Sequence, residues 1–185
     1  ETGNFETLWS SLNVDMIKPW LDPDFNLKGL LNGKIKGRML SGNRIEVSGK
    51  TNLSQGGVIW NGEEGRIAIR IEKADMNLTW AEESVKGNLS ILLLQRGQIK
   101  AEFQIPVPAR FPVKVNPGGN IKVTASGNIQ EKGLLAAMFP GMIGESQGQL
   151  SFDCVTGGIW SMPDFQGSIK LADVSAYLYP AGIKV

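Results

Sequence analysis

The sequence predicts an all-β fold of amphipathic, mainly antiparallel strands with one or two short helices. Three observations predict it. Apolar and polar residues alternate with period two through nearly all of the chain after residue 30. A glycine-polar-Ile/Leu triplet recurs eight times, and there are 23 glycines among 185 residues, well above the usual ~7 %. The length suits one domain. The chain therefore reads as a single unit over residues 1–185, with residues 1–26 as an N-terminal helix and lead-in and residues 27–185 as the sheet.

Taken in order, the first element breaks the β pattern. Phe5, Leu8, Trp9 and Leu12 fall at i, i+3, i+4 and i+7, one apolar helical stripe that Asn4 can cap. Strand patterns follow at Ile35, at Ile45 and Val47, and beside Trp60. In residues 66–72, Ile67, Ile69 and Ile71 share one side and mostly charge the other. Met76, Leu78 and Trp80 come next. Residues 89–94 are apolar on both faces. Ile99, Ala101, Phe103, Ile105 and Val107 oppose Lys100, Glu102 and Gln104, and Ile121, Val123 and Ala125 oppose Lys122, Thr124 and Ser126. A second short helix is predicted near 134–139, stopped by Pro140 and Gly141. Leu150, Phe152 and Cys154, then Ile169 and Leu171, complete the strands. The eight triplets begin at Gly33, Gly65, Gly87, Gly97, Gly119, Gly127, Gly148 and Gly167. They read as strand heads, where glycine takes the positive-φ position of a tight turn and the next two residues set the facing.

Composition removes most chemistry. With 19 Lys+Arg against 18 Asp+Glu the net charge is +1, so no basic field draws in nucleic acid. The absence of histidine removes the usual general base and the usual nitrogen ligand for a metal. Cys154 alone forms neither an internal disulfide nor a zinc cluster. Gly144-Glu145-Ser146-Gln147-Gly148 matches the serine-hydrolase elbow, yet without histidine it reads as a turn. Gly-x-Gly, the core of the nucleotide fingerprints, does not occur. The expectation is a protein that is not an enzyme and uses no cofactor and no metal. No stretch approaches ~18 uncharged apolar residues. Without an initiator Met, and ending at Val185 within an alternation, the chain is expected to be a piece of a longer one.

Residues 157–171 (Gly-Gly-Ile-Trp-Ser-Met-Pro-Asp-Phe-Gln-Gly-Ser-Ile-Lys-Leu) resemble a repeated phrase of the TamB family. Residues 27–37 (Leu-Lys-Gly-Leu-Leu-Asn-Gly-Lys-Ile-Lys-Gly) are similar to its Leu-x-Gly-x-Leu-x-Gly phrase. Residues 134–143 with Gly148-Gln149-Leu150, and Ala176-Tyr177-Leu178 through Gly182-Ile183, also look like members. The resemblance implies a β-taco, a strongly curved sheet whose apolar concave face forms an open half-pipe. It further implies a periplasmic location within an inner-membrane-anchored, AsmA-like bridge between the membranes of a Gram-negative envelope. Phospholipid transport and outer-membrane protein assembly are the family's implied roles. The full-length partner is a BamA/TamA-like outer-membrane barrel, expected to meet a segment beyond Val185.

On that reading the aliphatic faces stay unpaired and line a trough for phospholipid acyl chains. The expected lining is Ile35, Ile45, Val47, Trp60, Ile67, Ile69, Ile71, Met76, Leu78, Trp80, Ile99, Phe103, Ile105, Val107, Ile121, Val123, Leu150, Phe152, Ile169 and Leu171. Alternation alone leaves two rivals open. One is a β-sandwich carbohydrate-binding module, in which a second sheet seals the same residues. The other is a chaperone groove that holds outer-membrane protein strands by edge pairing.

Overall fold

The computed structural model describes residues 2–20, 24–62, 65–133, 135–136 and 141–185. Ten strands form one antiparallel sheet in chain order: β1 (Gly3–Asn13), β2 (Phe25–Leu40), β3 (Arg44–Gly62), β4 (Gly65–Ala81), β5 (Ser84–Leu93), β6 (Gly97–Ile105), β7 (Lys122–Lys132), β8 (Ile143–Ile159), β9 (Met162–Leu178) and β10 (Ile183–Lys184). The sheet does not close, because β1 and β10 each pair on one side only. About 75 % of the chain is strand, and the fold is all-β. All described strands belong to this sheet. The second sheet that a sandwich requires is absent among the described residues, and that alternative falls.

The first predicted helix is a strand. Phe5 and Trp9, four residues apart, lie on one face of β1, and each ring covers a glycine of β2: Phe5 covers Gly37, and Trp9 covers Gly33. Leu8 is 66 % exposed on the other face. A spacing of four serves a strand as well as a helix. An isolated stripe of this length is a marginal helix in water, whereas β2 offers a ladder of hydrogen bonds. A register shift between Trp9 and Leu12, with Ser11 at φ 54°, returns Leu12 to the inner face opposite Leu31. Helix appears instead as a 3-10 turn, Val14–Trp20. Of the second predicted helix, Leu135 and Ala136 are helical, while residue 134 and residues 137–139 lie outside the described residues.

The triplet glycines also require correction. Among the triplet glycines whose backbone is described, Gly97 and Gly148 have positive φ (115° and 147°), and of the eight only Gly65 and Gly97 begin strands. Gly33, Gly87, Gly127 and Gly167 lie in mid-strand on the inner face. There the missing side chain makes room for a neighbour: a Cβ on Gly87 would meet the Phe103 ring at 2.5 Å, and one on Gly127 would strike Phe152.

Curvature comes from irregularities that follow one another across the sheet. Ser11 in β1, Gly29 in β2 (φ 138°), Gln55 in β3 (φ 51°), Glu72 at the β4–β5 register shift, Gly148 in β8 and Asp173 in β9 (φ 51°) occupy neighbouring rungs. β5 ends and β6 begins on the same line, at Leu93 and Gly97. Bulges bend the strand that carries them, so an aligned row of them creases the sheet. The crease closes toward the apolar side: Leu53, Ile71, Leu93 and Ile129 are buried there, with Val14 of the 3-10 turn among them. Leu27, Val58 and Ile69 from one side of the crease and Ile91, Ile99 and Phe152 from the other pack against this cluster. The result is a curved, taco-like sheet with its apolar face inside.

Candidate functional site

The inner face is a set of rows that cross the strands, each generated by the two-residue period and by the register. One row runs Ile35, Gly49, Leu78, Gly87, Phe103, Val123, Thr156, Phe165. The next runs Thr51, Met76, Leu89, Ala101, Ala125, Cys154, Gly167. A third runs Leu31, Leu53, Ala74, Ile91, Ile99, Gly127, Phe152, Ile169, and beside it lie Ile71, Leu93, Ile129, Leu150 and Leu171. Together they make a continuous apolar strip over at least seven strands.

Of the predicted lining, Ile35, Val47, Met76, Leu78, Trp80, Ile99, Phe103, Ile105, Val123, Leu150 and Phe152 fall on these rows or directly beside them, half-buried. Ile71 is buried in the crease, with Ile69 packed against it. Ile169 and Leu171 are 70 % and 48 % exposed. Trp60 pairs with Ile67 across β3 and β4, but their side chains lie outside the described residues. Ile45 is only 6 % exposed because the connection between β6 and β7, residues 106–121, folds back along one lip of the trough. Its amide donates to the Ala109 carbonyl at 2.8 Å. Val107 belongs to that strap, and its carbonyl accepts from Trp80 Nε1 at 2.8 Å, while Trp80 meets the Phe111 ring edge-on at 6.4 Å. Ile121 lies at the strap's far end, with its amide bonded to the Gly158 carbonyl at 3.0 Å.

Sequence reasoning left out Phe5, Trp9, Leu89 and Phe165. The first two were absorbed into the helical stripe. Leu89 lies in the segment read as apolar on both faces, where Leu89, Ile91 and Leu93 point inward and Leu92 and Leu94 are exposed. Phe165 sits two residues before Gly167 and carried the same alternation.

The outer face is polar. Glu6 lies 2.6 Å from Lys34 and 3.5 Å from Lys36, and Arg38 bonds Glu46 at 2.7 Å. The hydrogen bond from Lys34 holds the Glu6 carboxyl below its ordinary range, against desolvation in the other direction and with lesser help from the charges of Lys34 and Lys36. Such exposed pairs fix register more than they stabilise. One carboxylate points inward. Glu131, 1 % exposed, accepts from the Leu135 amide at 2.8 Å and from Ser146 Oγ at 3.1 Å through Oε1. It thereby ties the segment after β7 to the crease.

The site is thus an open, one-faced apolar trough built from a single meandering sheet that carries most of its charges on the outer face. Residues 1–171 match the family model described as TamB, N-terminal domain, and the chain belongs to the TamB family. No curated protein and no solved structure matches the chain. The family comprises non-enzymatic, bridge-like modules of lipid transport and assembly, anchored in the inner membrane with a periplasmic body. No described helix is long and apolar enough to cross a membrane.

Proposed function

We propose that this domain is a segment of a periplasmic lipid bridge, with phospholipid acyl chains sliding along its inner face. The observation that carries the reading is the uninterrupted apolar strip from Ile35 to Ile169, over which the described residues lay no second sheet. Soluble monomers seldom expose more than a few hundred Å² of contiguous apolar surface without using it. An acyl chain of about 15 methylenes is stabilised by roughly 12 kcal/mol in a bilayer or in such a trough alike, at ~0.8 kcal/mol per CH2. Transfer is therefore nearly thermoneutral, and a lining without fixed polar partners presents no deep minimum to stop a sliding chain. Headgroups remain in water along the open slot. No residue acts as a catalyst; direction comes from outside this segment.

The test is lipid extraction and native mass spectrometry of the purified domain. Ile169→Asp is the informative variant, because a side chain 70 % exposed can be changed without touching the buried crease. The wild type is expected to carry phospholipid, and Ile169→Asp to carry at least about tenfold less while keeping its β circular dichroism, since a carboxylate is costly to bury against hydrocarbon. Undiminished lipid in the folded variant refutes the trough. The chaperone reading has its own support in the edge of β9, where residues 162–175 pair with no strand on the side away from β8 among the described residues. A photocrosslinker at Phe103 separates the two, giving lipid adducts for the trough and peptide adducts for the chaperone.

A further inference from the structure

The polar face carries a feature that the trough does not use. Beside the turn from β5 to β6 lies a shallow hollow of about 620 Å³, and none of the nine residues that line it is acidic. Its floor is made of amides on adjacent rungs: Gln98 pairs with Asn128 across β6 and β7, and Gln130 with Gln149 across β7 and β8. Arg96 and Lys132 supply two positive charges. Arg96 is held from both ends. Its carbonyl accepts from the Gln130 amide at 2.5 Å, and its Nη2 donates to the Lys132 carbonyl at 3.2 Å. The other guanidinium nitrogen, Nη1, is buried and has no hydrogen-bond partner. A buried charged donor without an acceptor is costly, and native structures keep few of them.

We infer that this hollow binds an oxyanion of the phosphate class. Guanidinium has the fork geometry and fixed charge that phosphate oxygens match. Lys132 adds charge, and the surrounding amides donate to the remaining oxygens. An acidic residue in the lining would repel the anion, and there is none. Inorganic phosphate and the phosphodiester of a phospholipid share this chemistry. The lipid version rests on the trough reading, with Gln98, Asn128 and Gln130 of the hollow alternating along β6 and β7 with Gly97, Ile99 and Ile129 of the apolar face.

Three titrations of the full chain test the inference: inorganic phosphate followed by 31P NMR, dihexanoylphosphatidylglycerol followed by calorimetry, and uncharged N-phenyl-1-naphthylamine followed by fluorescence. Arg96→Gln is expected to weaken phosphate and the short-chain lipid about tenfold, as loss of a charge-assisted pair does, and to leave the naphthylamine within about twofold, as expected of a probe that meets only apolar surface. If Arg96→Gln fails to fold, Lys132→Gln and Gln98→Ala are read in its place. Phosphate that binds the wild type and the folded variant equally, or not at all, overturns the inference. Arg96-dependent phosphate binding with lipid binding unchanged supports the hollow and assigns it to the free anion. A wild type that binds phosphate but not the naphthylamine refutes the trough and leaves the hollow standing.

Discussion

At the scale of single residues, the inner face depends on glycines placed under rings. Phe5 over Gly37, Trp9 over Gly33, Phe103 over Gly87 and Phe152 over Gly127 let bulky side chains lie across the neighbouring strand instead of standing up into the trough. Gly127→Ala is expected to cost about 1–3 kcal/mol, because its Cβ must displace the Phe152 ring from a packed position. Gly157 in β8 serves as control. A Cβ there meets nothing within 4 Å and its backbone needs no special φ, so Gly157→Ala should be neutral or stabilise by under ~1 kcal/mol. Urea denaturation of both variants measures the difference; equal midpoints would mean that the ring-on-glycine contacts contribute nothing. The sequence shows these glycines plainly, and the triplet that Gly33, Gly87 and Gly127 begin is a true facing mark. Their role was not legible there, because a glycine beneath a ring and a glycine in a turn look identical until the opposite strand is known.

At the scale of elements, the crease is where sequence reasoning stops. Alternation gave strands throughout β2 to β8, which half-bury one face, and in β9, where the same alternation holds although Met162 to Asp173 are exposed on both faces; it ran past the end of β6 to Val107. It gave no sign that several strands bend, because three of the bending residues are Ser11, Gln55 and Asp173, none of them the glycine that marks a left-handed position in a sequence. Their left-handed backbone costs about 1–2 kcal/mol each for an ordinary L residue. Glycine relieves that cost, so Gln55→Gly should leave stability unchanged or raise it by up to about 1 kcal/mol. Gly148→Ala should do the opposite. At φ 147° its Cβ would meet the Val174 Cα at 2.9 Å and the Asp173 carbonyl at 3.0 Å, and a loss of roughly 2 kcal/mol or more is expected from backbone strain. Guanidinium midpoints of the two variants check this. Two shifts of the same sign would show that the crease is not set by backbone conformation. The strap was equally hidden, since residues 106–121 contact β3 and β8 through backbone bonds that no local pattern encodes.

At the scale of the whole molecule, the trough is graded in access. Toward β3 and β4 it is covered: Ile45 lies under the strap at 6 % exposure, and Ile71 sits in the crease at 8 % beside Val14. Toward β9 it opens, with Phe165 at 72 % and Ile169 at 70 %. Burying those two rings and chains against hydrocarbon is worth about 1.5–3 kcal/mol each, whereas Ile45 and Ile71 already have protein neighbours and gain nothing from lipid. A hydrocarbon chain should therefore occupy the β6–β9 side first. Photoreactive side chains placed singly at Phe103, Phe165, Ile169 and Ile71, with irradiation before lipid extraction, read this occupancy position by position. Adducts are expected at Phe165 and Ile169, fewer at Phe103, and none at Ile71. Equal labelling at Ile71 would mean that the crease opens to admit lipid and that Val14 is displaced from it; labelling confined to Ile71 would reverse the polarity of access.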